Sequence, residues 1–401
     1  MQRSASASAP PSRYRWVILG VLLFLAAARL AVLPSLGILL PDIAGSFDIG
    51  PAQQGLLVGV ISTGNVVLGL PAAWFFSRYP ASWLCLASAA SATALFLLQS
   101  SAPSFAVMLP VQALIGFSFL SQSTASAILG TGWFPVREQV FVSGTFNAAA
   151  GLIEVIAFNV VGPALRWTGS WRAVVAGLSG FWLAGTLLWV LLGREPPRRD
   201  EHSSGGASVW PILQERRMRL AALGAFGPVA AWVSYVSFWP AHMLAAHDAP
   251  LEAAGFVLGM SSLGQVPASL LFGWTCSRRP GLRPAILLGS GLVLATTGIG
   301  MLLTDSLPVL TTLAAVQGIA WGYLPLLAAV PYEIPGFGPR QVAMASSFVW
   351  SCSSLGALLG PVLAGAIAQQ AGSFVPALAL LSCFSLLVCL SALTKRPVHA
   401  A

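Results

Sequence analysis

Residues 55–80, GLLVGVISTGNVVLGLPAAWFFSRYP, align without a gap onto residues 255–280, GFVLGMSSLGQVPASLLFGWTCSRRP. Ten of the 26 positions are identical: Gly55/Gly255, Gly59/Gly259, Ser62/Ser262, Gly64/Gly264, Val66/Val266, Leu70/Leu270, Trp74/Trp274, Ser77/Ser277, Arg78/Arg278 and Pro80/Pro280. Chance in so biased a composition gives roughly two or three, and self-similarity at a fixed period marks a repeated structural unit. Each copy is an apolar stretch closed by Ser-Arg. The chain therefore reads as two similar membrane-embedded halves, the plan from which many secondary transporters build one central site.

The repeat continues outward from these stretches. Val111-Gln112 matches Val316-Gln317, Gly116 and Gly322 follow, and Val161-Gly162-Pro163 matches Leu359-Gly360-Pro361, with offsets drifting between 198 and 205. One duplicated six-helix unit explains this pattern.

Composition fixes the class. Of 401 residues, 56% are hydrophobic and 8% charged, against about 25% charged in soluble domains. So few charges cannot make a water-soluble surface. A bilayer crossing takes about 20 apolar residues, and backbone groups in lipid must be satisfied within helices or a closed barrel. The apolar runs are continuous rather than alternating, so they read as helices. Twelve spans are expected, at 16–40, 55–76, 82–99, 105–129, 139–165, 171–192, 219–245, 253–276, 284–304, 308–330, 342–367 and 374–393.

The fold class is thus an all-α membrane protein with 12 transmembrane helices in two pseudo-symmetric six-helix bundles. The domains are an N-terminal tail (1–15), a first bundle (16–192), a linker (193–217), a second bundle (218–394) and a C-terminal tail (395–401). Arg13 and Arg15 before an apolar run imitate a signal peptide. The run resumes to Leu40, however, and its removal would spoil the two-fold symmetry.

The formal net charge of +8 invites a nucleic-acid reading, but the distribution argues against one. With both termini inside, 17 of the 20 basic residues fall in cytoplasmic segments, Arg166 and Arg172 fall outside, and Arg29 lies within a span. Such asymmetry is the positive-inside rule, and it sets both orientation and an even number of spans. One Lys against 19 Arg and compact loops point to a GC-rich genome and a bacterial inner membrane.

The five cysteines lack metal-ligand spacing and read as packing residues. No Gly-rich loop followed by Lys-Ser/Thr is present, so ATP is not the evident energy source. An enzyme, a cofactor and a metal centre are therefore not expected.

At its signature positions the chain resembles a major facilitator superfamily transporter. That family's motif reads roughly Gly-x-Leu-Ala-Asp-Arg-x-Gly-Arg-Arg between spans 2 and 3 and recurs more weakly between spans 8 and 9. Here the copies are Ala73-Trp74-Phe75-Phe76-Ser77-Arg78-Tyr79-Pro80 and Gly273-Trp274-Thr275-Cys276-Ser277-Arg278-Arg279-Pro280. Trp133-Phe134-Pro135-Val136-Arg137-Glu138 between spans 4 and 5, Gly169-Ser170-Trp171-Arg172 at span 6, and Gly356-x-x-x-Gly360-Pro361-x-x-Ala364-Gly365 in span 11 are also similar to family segments. The resemblance covers essentially the whole chain. It implies a latch between the halves at Ser77, Arg78, Ser277 and Arg278, although Ser replaces the family's Asp in both copies. Serine brings a hydrogen bond but no charge. The plainer reading of Arg78 and Arg278 is topology anchoring.

Arg29 is the sharpest single position. A charge near the middle of a span costs several kcal/mol unless it faces protein or water. The resemblance implies that span 1 lines a cavity, where some organic-anion carriers hold a carboxylate or phosphate with Arg. A guanidinium suits that task because it is always charged and forks onto two oxygens.

Glu154, at similar depth in span 5, is the expected partner. Either the two form a static ion pair, or Glu154 carries a proton while Arg29 is released to substrate. Proton uptake near neutral pH is feasible for a desolvated carboxylate.

Trp232, Tyr235, Trp239 and His242 share one face of span 7, and Trp232 and Tyr235 are candidates for a substrate cavity. Gln112, Phe119 and Gln122 on span 4 and Gln317 and Trp321 on span 10 are further candidates. Buried amides in membrane helices often serve helix packing instead.

The expected function is secondary active transport of a small organic solute by alternating access, driven by the proton gradient. Its cargo is left open between organic anions and drug- or siderophore-like molecules for efflux. A passive facilitator, or a non-transporting sensor or assembly factor on the same scaffold, is the alternative. The expected partners are the solute and the lipid bilayer, with no nucleic acid, and the expected state is a monomer.

Overall fold

The computed structural model describes residues 13–69, 75–76, 78–196 and 210–393. The tail before residue 13, residues 70–74 and Ser77 at the first signature copy, linker residues 197–209 and residues 394–401 lie outside them.

Ten helices among the described residues are long and apolar enough to cross a membrane. They are span 1 (Arg15–Phe47), span 3 (Ala81–Ser100), span 4 (Phe105–Trp133), span 5 (Val136–Thr168), span 6 (Trp171–Leu192), span 7 (Arg216–His247), span 8 (Leu251–Arg278), span 9 (Arg283–Met301), span 10 (Leu307–Ala328) and span 11 (Pro339–Ala371). Span 2 (51–68) is interrupted by a 3-10 turn at Val60–Ser62, and span 12 (Val375–Ser391) breaks after Phe384. Together these make the twelve-helix fold. Successive spans alternate in direction, so one face carries Arg15 and the other carries Asp48.

Several boundaries differ from the sequence reading, for local reasons. Span 1 runs past Leu40 because Pro41 is accommodated inside the helix, which ends where Asp48 turns left-handed at φ 52°. Spans 2 and 11 begin earlier than expected, each at a Gly-Pro step. There Gln53 Oε1 accepts from Gly50 N at 3.1 Å, and Gln341 Oε1 accepts from Gly338 N at 3.0 Å. Proline pre-sets the first turn and the glutamine satisfies a donor ahead of the helix.

The repeated glycines are where the halves meet. A Cβ at Gly55 would strike the backbone of Pro361, and one at Gly59 the backbone of Leu358, both in span 11. In the second half, Gly255 meets the backbone of Phe158, and Gly259 lies against Asn159 and Phe158, all in span 5. Gly365 abuts Pro51 just as Gly162 abuts Glu252. Small residues let helices approach closely where lipid offers no hydrophobic drive between them. Within each half the same logic packs Gly116 on Ile61 and Gly318 on Ser261.

These crossings revise the alignment of spans 5 and 11. Phe158 stands where Pro361 stands and Gly162 where Gly365 stands, an offset of 203 rather than the 198 of the Gly-Pro match. Gly356 and Gly360 of the Gly-Pro segment instead pack on Phe226 and Ala230 of span 7.

Gly37 of span 1 meets the backbone of Val236 in span 7, on the axis between the halves. This contact and those at Gly55, Gly59, Gly162, Gly255, Gly259 and Gly365 all lie toward the Asp48 face and seal that side. Spans 2 and 11 stay together further in, where Gly69 faces Ser351.

Candidate functional site

Span 1 presents a buried stripe of Ile18, Leu22 and Leu25, each fully buried. Arg29 follows Leu25 by four residues and so continues the stripe toward protein rather than lipid. It lies two residues before the helix break at Ala31 and is half-buried. Its Nε is shut off from solvent without a hydrogen-bond partner, and no ion pair to its guanidinium exists among the described residues. The Gly37 seal lies about 12 Å further along the helix, at a rise of about 1.5 Å per residue. Arg29 is therefore closed off from the Asp48 face.

The expected ion pair between Arg29 and Glu154 is not formed. Glu154 instead points across the seam between spans 5 and 8, where its Oε2 accepts from Ser262 Oγ at 2.9 Å. The reason is the close crossing of these two spans. Gly255 and Gly259 draw span 8 onto span 5, and Gly151, one turn before Glu154, faces Val266. Ser262 was not singled out in the sequence, although its identity with Ser62 in the repeat marked it. Arg166 and Glu252 add an ion pair of 3.1 Å across the same seam.

The aromatic candidates divide. Trp232 sits edge-on to Phe158 of span 5, with ring centroids 6.3 Å apart, and to Trp321 of span 10 at 6.1 Å. It thus stands on the seam. Tyr235 is committed inside its own half, where its hydroxyl donates to Gly298 O at 2.6 Å and lies 3.2 Å from Ser382 Oγ. Trp232, Tyr235, Gln317 and Trp321 line one small cavity together with Leu294, Ser382 and Ser385.

The three candidates on span 4 belong to packing. Gln112 is fully buried and its amide oxygen accepts from Gln99 Nε2 of span 3 at 2.7 Å. Phe119 stacks on Trp182 of span 6, with centroids 5.7 Å apart. Gln122 donates to Ser126 Oγ one turn along its own helix at 3.1 Å. A polar group buried among apolar helices needs a partner; span 3 supplies one to the Gln112 oxygen and span 4 itself one to Gln122, while Gln112 Nε2 is left without one among the described residues.

At the signature copies, Arg78 is exposed. Ser277 Oγ donates to Trp274 O at 2.7 Å and the Arg278 guanidinium lies 4.4 Å over the Trp274 ring. Both residues of the second copy thus turn back on their own helix end. Two carboxylates that the sequence reading did not single out order the same face. Glu333 pairs with buried Arg283, which also donates to Leu326 O. Glu195 accepts from Ala81 N at 3.1 Å and Ser82 N at 2.9 Å, capping span 3. Residues 193–196, expected as linker, are therefore docked on the first bundle.

Twelve spans in two repeated halves, closed on each other through glycine seams with a cation and a carboxylate within the spans, are the build of a polytopic membrane carrier. The chain belongs to the Major Facilitator Superfamily, whose sequence profile matches residues 17–242 and 220–401. A human protein named monocarboxylate transporter 11 is 25% identical over 389 residues, 92% of this chain and 80% of its own. The Escherichia coli (strain K12) protein named probable galactarate/D-glucarate transporter GarP is 23% identical over 193 residues, 45% of this chain and 42% of its own. Among solved structures, the nucleoside transporter NupG matches with a TM-score of 0.77 at 11% identity, covering 95% of this chain and 98% of its own. A bacterial homologue of the human lysosomal transporter Spinster, inward-facing and occupied, matches with a TM-score of 0.74 at 19% identity, covering 96% and 94%. These structural likenesses concern the fold.

Proposed function

We propose that this transporter carries small organic carboxylates with a proton, by alternating access between its two halves. One observation carries the reading: the Arg29 guanidinium lies inside a membrane span with no counter-charge bound to it among the described residues. A cation in that position is costly unless an anion or water completes it, and a carboxylate matches the guanidinium fork with two oxygens. Two relatives are named for monocarboxylate and galactarate/D-glucarate transport, which supports the same chemistry. Of the aromatic candidates for a substrate cavity, Trp232 packs edge-on to Phe158 and Trp321, and Tyr235 is bonded inside its half.

Glu154 is the proton carrier in this reading. It lies on a seam that must part when the Asp48 face opens, so its bond to Ser262 breaks and re-forms in each cycle. A neutral carboxylic acid crosses that rearrangement at lower cost than a carboxylate. We place the Arg15 face in the cytoplasm, from the concentration of basic residues there. The protein then works as a monomer in a bacterial inner membrane, with bundles at 16–192 and 218–394.

The test is proteoliposomes with a trapped pH dye, given an inward gradient of butyrate and compared with protein-free vesicles. Protein-dependent acidification with tracer entry is expected. Tracer entry without proton movement identifies a facilitator, and no entry of any carboxylate overturns the reading.

A further inference from the structure

The two seams between the halves are closed at their Asp48 ends by residues in matching places. Gly162 of span 5 lies against Glu252 of span 8, and Gly365 of span 11 lies against Pro51 and Ala52 of span 2. One turn further along, span 5 carries Arg166 and span 11 carries Gln369, at the same offset of 203 that relates Gly162 to Gly365. Arg166 Nε stands 3.1 Å from Glu252 Oε1. Gln369 Oε1 accepts from Ala52 N at 3.2 Å. Glu252 and Ala52 are in turn the second residues of their helices. One clasp is thus built twice, once from two opposite charges and once from a neutral amide and a backbone N–H.

The two clasps answer differently to the solution that bathes them. A bond between an amide and a backbone N–H involves no net charge. An ion pair between exposed groups weakens as salt rises. The Arg166 side chain is 73% exposed and that of Glu252 27%, so small ions reach the pair. Each charge also suits its own helix, because Arg166 is in the last turn of span 5 and Glu252 in the first turn of span 8. The helix dipole favours a cation at the first place and an anion at the second. That preference accounts for the residue types, but not for the contact between them. The contact joins the two halves beyond the last glycine crossing of the seam, so it breaks whenever this face opens.

We infer that Arg166 and Glu252 form an ionic clasp that holds the carrier closed on the Asp48 face, and that the ionic strength on that face sets how readily the seam between spans 5 and 8 parts. The Gln369 clasp holds the twin seam without this sensitivity. An exposed pair contributes modestly, which suits a tuner of the closed state, since a strong lock would halt the cycle. The inference rests on the closed seam and is independent of the cargo.

The test reads opening directly. A cysteine replaces Leu33, which lies on span 1 one turn to the Arg15 side of the Gly37 seal. An impermeant thiol reagent is applied to sealed vesicles that expose only the Asp48 face, with the protein lacking this cysteine as blank. Arg166→Gln and Glu252→Gln should each raise the rate of modification by about two- to fivefold. The double variant should be no faster than either, because both singles remove one contact. Raising salt from about 0.05 to about 0.5 M should speed the unaltered clasp and leave the three variants nearly flat. Asp42, Asp48, Arg172, Asp248 and Asp305 lie toward the same face and feel the salt too, so the comparison between forms carries the result. Gln369→Arg with Ala52→Glu builds a second ionic clasp, and should slow modification at low salt and steepen its rise with salt. Single effects that multiply in the double variant mean that each charge serves only its own helix, and overturn the clasp. Rates unchanged in all variants, or a salt response that persists in the double variant at full size, overturn it as well. A doubly ionic form that opens as the unaltered protein does counts against it.

Discussion

Glu154 accepts a hydrogen bond from Ser262 across the seam between the two halves, at 2.9 Å. The repeat makes the asymmetry of this bond measurable. Ser262 has its twin in Ser62, while the offset of 203 along spans 5 and 11 puts Ala357 where Glu154 would recur. Two otherwise similar glycine seams thus differ in a carboxylate within the spans, as they do in the Arg166–Glu252 ion pair at the Asp48 end. A structural latch common to both halves would be expected twice, whereas a proton carrier is needed once.

Replacing that carboxylate separates coupling from movement. Glu154→Gln keeps an acceptor for Ser262 but cannot take up a proton. Carboxylate-for-carboxylate exchange should persist, while uptake driven by a pH gradient falls at least about tenfold, a change of about 1.4 kcal/mol. Tracer uptake with and without an imposed gradient reads both. Gradient-driven uptake at the wild-type level in the variant would remove Glu154 from the coupling step.

Arg29 should respond to charge and to shape separately. Hydrogen bonds to charged groups contribute about 1.5–3 kcal/mol, so Arg29→Gln should weaken carboxylate binding roughly 10- to 150-fold. Arg29→Lys keeps the charge and loses the fork, and should fall between the two. Isothermal titration of the purified protein with butyrate and hydroxybutyrates reads the order. Equal affinity in all three forms would mean that Arg29 does not touch the anion.

The seam glycines predict a pattern of tolerance along the chain. Ala at Gly55 or Gly255 places a methyl group against the backbone of Pro361 or Phe158, which cannot retreat without moving a helix. Such overpacking costs about 1–3 kcal/mol and weakens the seal toward the Asp48 face. Ala at Gly20, where nothing lies within 4 Å, should be neutral. Thermal unfolding in detergent and modification of a cysteine placed at Arg29 by an impermeant reagent from that face should both separate the first two from the third.

The architecture was legible because its determinants are local or periodic. Apolar runs gave the spans, arginines gave the orientation expected for them, and the Gly55–Pro80 repeat gave the two-fold plan. The same repeat proved to mark the contacts themselves, since Gly55, Gly59 and their copies are the crossing points. The site was legible only in part. Arg29 and Glu154 stood out because charge is costly within a span, but their pairing could not be read from depth along a helix. It depends on which neighbour each helix approaches, and Gly259 and Gly151 directed Glu154 to span 8. Gln112 and Gln317 look alike as matched amides in sequence. Gln112 meets Gln99 and Gln317 a cavity wall, and the crossings of Gly116 on Ile61 and Gly318 on Ser261 set an offset of 202 for spans 4 and 10, so the two amides do not stand at equivalent positions.

The carboxylate of Glu154 can also be moved. In a double variant, Glu154→Ala with Ala357→Glu, the acid occupies the equivalent place on the seam between spans 2 and 11, near Ser62. The repeat geometry can receive it, because Leu358 lies against Gly59 as Val155 lies near Gly259. Span 1, which carries Arg29, packs on span 5. The relocated acid belongs to the half built around span 7, which packs on span 11 instead. Proton-driven uptake should therefore stay at the level of Glu154→Ala alone, even though the double variant folds and exchanges substrate. Recovery of gradient-driven uptake would show that any carboxylate on either seam suffices, and that its position relative to Arg29 is immaterial.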